Sequence, residues 1–227
     1  MKPNEDPGCY AGPHQRNLLI RFAHHPTVPQ QFFLTGGTAL SVFYLHHRVS
    51  DDLDFFTTED ASLADLSLWL KAEWKEGFSL IRSTPTYLSA LMDGVRVDFV
   101  VDHLSDKNGR PQVLLEQNPL SVDTVQNIAA NKLCTLVSRT EPKDIIDFFF
   151  LMTEVPDLSL EALLTSARKR EALLDDPPTA GYQLEENFLF FKEHPQLRPR
   201  LLKPFDIQAA SVLYNDVINK LYHRPKL

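Results

Sequence analysis

The chain has 227 residues, 43% of them hydrophobic and 23% charged, with a net charge of −7. This suits one full globular domain, or a compact core with an appended half. No run of about 18 apolar residues occurs, so no spanning helix is expected, and the acidic balance argues against a protein that coats nucleic acid.

The opening Met1-Lys2-Pro3-Asn4-Glu5-Asp6-Pro7 has no apolar core, so no secretory signal is expected. Cys9 and Cys134 stand far apart without metal-ligand spacing around either, which points to reduced thiols in a cytoplasmic protein. The charge is uneven: residues 192–227 hold seven Lys/Arg against three acids, a balance of +4, which leaves −11 for the rest. A solvated surface is the reading of that basic tail, with contact to an RNA backbone as the sharper alternative.

Residues 1–14 carry Pro and Gly and read as a loose segment. Gln15 to His25 has amphipathic helical spacing. Phe32-Phe33-Leu34 is a short strand that enters Gly36-Gly37, and Thr38 to His47 reads as a helix with Leu40, Phe43 and Tyr44 on one side. Leu53 to Phe56 is a strand. Ser62 caps a helix running to about Lys75. Phe78–Ile81 and Thr86–Met92 are strands, and Asp93-Gly94 joins the second to Val95–Val101 as a tight hairpin. Pro111 to Asn118 is a connection without a clear form. Beyond Pro119 the pattern becomes helical: Asp123–Arg139, a helix opened by Glu141-Pro142, Leu158–Leu174, Glu185–Lys192 and Ile207–Tyr222. Asp175-Asp176-Pro177-Pro178 reads as a break. The expected organisation is a segment 1–14, an α/β core over 15–118 and an all-α region over 119–227. The fold class is α+β, a mixed sheet with flanking helices followed by a helical half.

Three carboxylates carry the chemistry. Residues two apart in a strand share a face, so Ser50, Asp52 and Asp54 point together while Leu53 and Phe55 enter the core, and Asp51 falls on the wrong side. In Val95–Val101 the valines and Phe99 form one face, and Arg96 and Asp98 the other. If the two strands are neighbours, Asp52, Asp54 and Asp98 meet. Clustered carboxylates repel and lose hydration, so such a group implies a cation. Mg²⁺ suits hard oxygen ligands and shares its sphere with phosphates, and two ions about 3.5–4 Å apart clamp the attacking and leaving oxygens of a displacement. Asp98 is also placed to take a proton from an attacking hydroxyl. The competing reading of Asp52 and Asp54 is a strand-end cap, or surface ion pairs with Arg48 and Arg96.

Gly36-Gly37 ahead of a helix offers bare N–H groups to a triphosphate, Thr38 adds a hydroxyl, and Ser50 shares the carboxylate face. The alternative for the glycines is a tight turn needing positive φ. In the helical half, Lys132 and Arg139 share a face, and Lys143 and Asp144 open the next helix. These are nucleotide-binding candidates, against a plain solvated face. His24-His25 and His46-His47 are adjacent helical pairs whose side chains diverge, so neither is a bidentate metal site, and all four read as partly exposed. Phe148-Phe149-Phe150 and Phe188, Phe190 and Phe191 read as core.

Taken in order, Thr35-Gly36-Gly37-Thr38-Ala39-Leu40, Arg48-x-Ser50-x-Asp52-Leu53-Asp54-Phe55, Arg96-Val97-Asp98, Asn127-Ile128-Ala129-Ala130-Asn131-Lys132-Leu133 and Lys143-Asp144-Ile145-Ile146-Asp147-Phe148 resemble the AbiEii/AbiGii nucleotidyltransferase toxin family. The likeness spans roughly residues 30 to 152. It implies a DNA polymerase β-like nucleotidyltransferase core, Mg²⁺, a nucleoside triphosphate (NTP) and a hydroxyl acceptor such as RNA, including tRNA acceptor ends, with an antitoxin as partner. Carried over, Asp52 and Asp54 bind metal, Asp98 is the third carboxylate or base, Lys132 binds phosphate and Asp144 belongs to the fourth motif. That motif often reads Arg-Asp where this chain has Lys143-Asp144, which keeps the charge and loses the bidentate fork.

Other readings keep the fold but change the acceptor to a protein or small molecule, or drop turnover and leave a nucleotide-binding module. Asp52-Leu53-Asp54-Phe55-Phe56-Thr57 also superficially resembles the nucleophile loop of haloacid-dehalogenase-type phosphatases. There the Thr is one place late, and no hydrophobic strand precedes the Asp pair.

Overall fold

The computed structural model describes residues 1–105 and 109–223. Arg224 and Lys226 of the basic tail lie outside the described residues. The chain divides into two compact units, Lys2–Thr124 and Val125–Leu227.

The first unit is built on a five-stranded sheet. Its strands are β1 (Phe33–Thr35), β2 (Leu53–Thr57), β3 (Phe78–Ser83), β4 (Tyr87–Met92) and β5 (Val95–Val101), in the order β1-β2-β5-β4-β3. β2 and β5 run parallel and the other pairs antiparallel, so the sheet is mixed, as expected. The Asp93-Gly94 turn forms as predicted. Both residues take positive φ (49° and 83°), the geometry that lets a two-residue turn follow the right-handed strand twist.

One sheet face is apolar. Leu53, Phe55, Leu88, Ala90, Val97 and Phe99 are all fully buried. They pack against α1 (Pro13–His24) and α4 (Leu63–Trp74) through an aromatic cluster in which Phe22 meets Phe55 at 5.1 Å and Phe99 at 5.7 Å between ring centres. Each of the Leu, Val and Phe side chains contributes about 1.5–3 kcal/mol by leaving water. α4 starts where the sequence places it, with the Ser62 hydroxyl accepting from the Asp65 N–H.

Four expectations in this unit are corrected. The segment 1–14 is not loose: Asn4 and Asp6 N–H groups donate to the carbonyls of Phe43 and Val42, Ser50 N–H donates to the Cys9 carbonyl, and Cys9 is fully buried. Composition alone hides such pairing, because the partners lie more than thirty residues away. The helix read over Thr38–His47 is α3 (Gly36–Leu40) followed by a π-turn, Ser41–Leu45, that stops at His46 in the left-handed conformation, φ 51°. The connection Pro111–Asn118 is the start of a hairpin, β6 (Gln112–Leu115) with β7 (Asn118–Ser121), and Val122 bridges to Leu34 of β1. That pairing carries the first unit through Thr124 rather than ending it at 118. A fourth correction is His47, which is fully buried rather than partly exposed. A short α2 (Val28–Gln31) links α1 to β1.

The second unit is helical: α5 (Val125–Ser138), α6 (Pro142–Glu154), α7 (Leu160–Ala167), α8 (Pro177–Glu193) and α9 (Ile207–Tyr222). Tyr214, Phe148, Phe188 and Phe191 form its core, as the aromatic runs predict. Two boundaries differ from expectation. The Leu158–Leu174 helix stops at Ala167, because the charged run that follows has no apolar face to bury. Pro177-Pro178 does not break a helix but opens α8, where a missing N–H costs nothing. No helix among the described residues is long and apolar enough to cross a membrane.

Candidate active site

β2 and β5 deliver the central pair. Asp54 and Asp98 are register partners on adjacent parallel strands, so they stand on the same sheet face about 4.8 Å apart at the backbone. Both are half-buried, as is Asp52 just before β2; Asp51 is exposed rather than on the core side with Leu53 and Phe55, because the strand begins only at Leu53.

The two glycines are explained by what lies against them. Gly36 has φ +69°, and a Cβ there would fall 2.0 Å from Asp54 Oδ2. A Cβ at Gly37 would fall 2.4 Å from an Arg48 guanidinium nitrogen and 3.1 Å from Ser50 Oγ. The Gly-Gly turn therefore exists so that the backbone can close onto Asp54, Arg48 and Ser50. Arg48 and Ser50 are buried, and Arg48 donates to the Val49 carbonyl at 2.8 Å.

Thr38 is buried, and its hydroxyl donates to the Asp52 carbonyl. Gln15 Nε2 donates to the same carbonyl at 3.2 Å and also reaches Thr38 Oγ1 at 3.4 Å. Thr38 thus fixes the backbone that presents Asp52. Gln15 was not singled out from the sequence, and nothing in α1 marks it there.

Asp98 is saturated by its neighbours. Oδ1 accepts from Ser89 Oγ (2.5 Å) and Arg96 Nε (3.2 Å), and Oδ2 from Tyr87 OH (2.9 Å) and Arg96 Nη2 (3.2 Å). These four donors fill the acceptor positions of a carboxylate. Arg96 is the exposed member, with a side chain 47% exposed against 14% for Asp98. The sequence held the signal for Ser89. A two-residue turn at Asp93-Gly94 sets Met92 opposite Val95 and hence Ser89 opposite Asp98.

The helical unit brings Lys132, Arg139 and Asp144 together. Lys132 Nζ lies 2.7 Å from Asp144 Oδ1 and 2.6 Å from Asp147 Oδ2, and the Arg139 fork grips Asp144 at 2.7 and 3.1 Å. Burial pushes the Asp144 carboxyl up, but Lys132 and Arg139 outweigh it and hold the group below its ordinary value. Lys132, Asp144 and Asp147 are buried, whereas Lys143 is only half-buried. Arg170 donates to Asn127 and to Asn131, which pins both asparagines of the third motif.

A hard-oxygen donor set at Asp52 and Asp54, with a glycine cut away so that the backbone meets Asp54, fits a divalent cation of the Mg²⁺ kind.

The sequence profile described as "Nucleotidyl transferase AbiEii toxin, Type IV TA system" matches residues 17–212. An uncharacterized protein of Aquifex aeolicus, aq_aa25, is 29% identical over 123 residues, covering 53% of this chain and 57% of that protein. The chain thus spans little more than half the length of that relative. Among solved structures, MenT4, a nucleotidyltransferase toxin of Mycobacterium tuberculosis, superposes with a TM-score of 0.59 at 15% identity, over 93% of this chain and 82% of that one. JHP933 of Helicobacter pylori superposes with a TM-score of 0.55 at 17% identity, over 92% of this chain and 90% of that one. The fold is therefore that of these nucleotidyltransferase-like structures, and the chain belongs to the AbiEii nucleotidyl transferase toxin family.

Proposed function

We propose that the protein transfers a nucleoside monophosphate from an NTP to a hydroxyl of RNA, with tRNA as the acceptor class, and serves as the toxin of a pair with an antitoxin protein. The observation that carries the reading is Asp54, in register with Asp98 and backed by Gly36 at a distance that tolerates no side chain. Asp52 and Asp54 would hold Mg²⁺, two ions in this reading, with Asp98 as third carboxylate or base. Bound there, Mg²⁺ would neutralise phosphate charge and lower the pKa of the attacking hydroxyl.

The chain's own residues supply the rest. Gly36, Gly37 and Ser50 let backbone and hydroxyl approach the triphosphate, and Thr38 with Gln15 keeps Asp52 in place. Asp98 serves once Arg96, the exposed member of its hydrogen-bond set, swings away. In the helical unit, buried Lys132 is already ion-paired with two carboxylates. A nucleotide-binding role falls first to the more exposed cations, half-buried Lys143 and Arg139, whose side chain is 48% exposed. Lys132 and Asp144 act by fixing Arg139.

The test is incubation with Mg²⁺, each α-labelled NTP in turn and total RNA, resolved on a denaturing gel. Label in an RNA band, absent for Asp52→Ala and Asp54→Ala, is expected. Label only in protein or in a small-molecule fraction would overturn the acceptor, and undiminished label in both variants would overturn the site.

A further inference from the structure

The N-terminal segment and the turn after α3 assemble a second set of ligands. Asp6, Cys9 and His46 each present one ligating atom, and these atoms all lie within 4.8 Å of one another. None belongs to the carboxylate site. The arrangement follows from the backbone. Asp6 N–H donates to the Val42 carbonyl, and His46 N–H donates to the Ser41 carbonyl, closing the π-turn. Asp6 Oδ1 accepts from the Gly8 N–H at 2.9 Å, capping the short Pro7–Cys9 turn, while Oδ2 lies 4.0 Å from His46 Nδ1. That imidazole nitrogen is buried and has no hydrogen-bond partner among the described residues. Cys9 is fully buried and not in a disulfide, and Asp6 and His46 are partly exposed, which leaves an entry from their side.

We propose that Asp6, Cys9 and His46 form a Zn²⁺ site whose ion ties the N-terminal segment to the loop carrying Ser50 and Asp52. A thiolate, an imidazole and a carboxylate are the mixed S/N/O donors Zn²⁺ takes in a tetrahedron, with water as fourth ligand. Ligands of such an ion stand roughly 3.4–3.7 Å apart, so the 4.0 Å gap closes with a small side-chain rotation. On binding, the Cys9 thiol releases its proton to solvent and the imidazole enters neutral. The coupling to the loop is direct, since the Cys9 carbonyl accepts the Ser50 N–H at 3.0 Å and Tyr10 bridges Ser50.

The experiment uses the full chain, stripped of metal and titrated with Co²⁺ as a spectroscopic probe, then with Zn²⁺. A thiolate-to-Co²⁺ charge-transfer band that saturates at one equivalent and is displaced by Zn²⁺ is expected. Cys9→Ser should abolish the band, and Cys134→Ser and Asp54→Ala should leave it. Asp6→Asn, at a partly exposed position, and His46→Asn, which keeps a residue tolerant of left-handed φ, should weaken Zn²⁺ affinity. The loss should be at least the roughly 10–100-fold that follows loss of an outer-shell partner. Absence of the band in the unaltered chain would overturn the proposal whether or not Cys9→Ser folds, as would a band that survives in Cys9→Ser or an affinity unchanged in Asp6→Asn.

Discussion

Gly36 and Gly94 make a matched pair for testing how the site is built. Both have positive φ, +69° and +83°. Alanine at either position therefore incurs the left-handed penalty of roughly 1–2 kcal/mol. They differ in surroundings: a Cβ at Gly94 meets nothing within 4 Å, whereas at Gly36 it falls 2.0 Å from Asp54 Oδ2 and 2.8 Å from the carboxyl carbon. Real Cβ contacts essentially never fall below 3.0 Å, so in Gly36→Ala the Asp54 carboxylate must retreat by about 1 Å. A displacement of that size at a reacting centre costs about 10²-fold in rate, equivalent to about 2.7 kcal/mol of transition-state stabilisation. Gly94→Ala should thus lose roughly 1–2 kcal/mol of stability and keep its transfer rate. Gly36→Ala should lose a similar stability and at least about 10²-fold in kcat/KM. Urea denaturation and the labelled-NTP assay measure the two quantities. A folded Gly36→Ala protein with unaltered kcat/KM would refute the placement of Asp54 at the reacting centre. An equal loss of activity in Gly94→Ala would refute the steric argument.

Further predictions follow from the same geometry. Asp144→Asn should destabilise by about 1–3 kcal/mol at neutral pH, since Arg139 loses its carboxylate while buried Lys132 loses one of two and retains Asp147. Because the folded carboxyl is held below its unfolded value, that contribution is fully present above about pH 4 and is lost as pH falls through the lower folded value. The gap between the variant and the unaltered chain should therefore shrink in acid denaturation series. Asn187→Ala should cost about 1–3 kcal/mol by denaturant titration. Its amide donates to the carbonyls of Leu136 and Arg139 at the end of α5 (2.9 and 3.1 Å). Arg96→Ala frees two acceptor positions on Asp98, so the half-saturating Mg²⁺ concentration for transfer should fall several-fold; a rise would assign Arg96 to substrate binding instead.

Local physics made most elements legible in the sequence. The hydrophobic alternation of Leu53–Phe56 and Val95–Val101, the Asp93-Gly94 turn, the Ser62 cap and the period of Ile207–Tyr222 each follow from constraints between residues a few positions apart. The same holds for the shared face of Asp54 and Asp98, which strand alternation defines, whereas Asp52, just before β2, stood out only by its place in a family pattern. Only the tertiary structure decided the rest. Strand order set Asp54 beside Asp98. Chain crossing set Gln15 under Asp52, Arg48 against Gly37, and Asp6 and Cys9 beside His46. Burial of α5 and α6 turned Lys132 from a surface cation into the centre of an ion-pair network. These contacts join residues tens of positions apart, where no periodicity operates and a polar side chain on a helix reads the same whether it faces water or a neighbour's carbonyl.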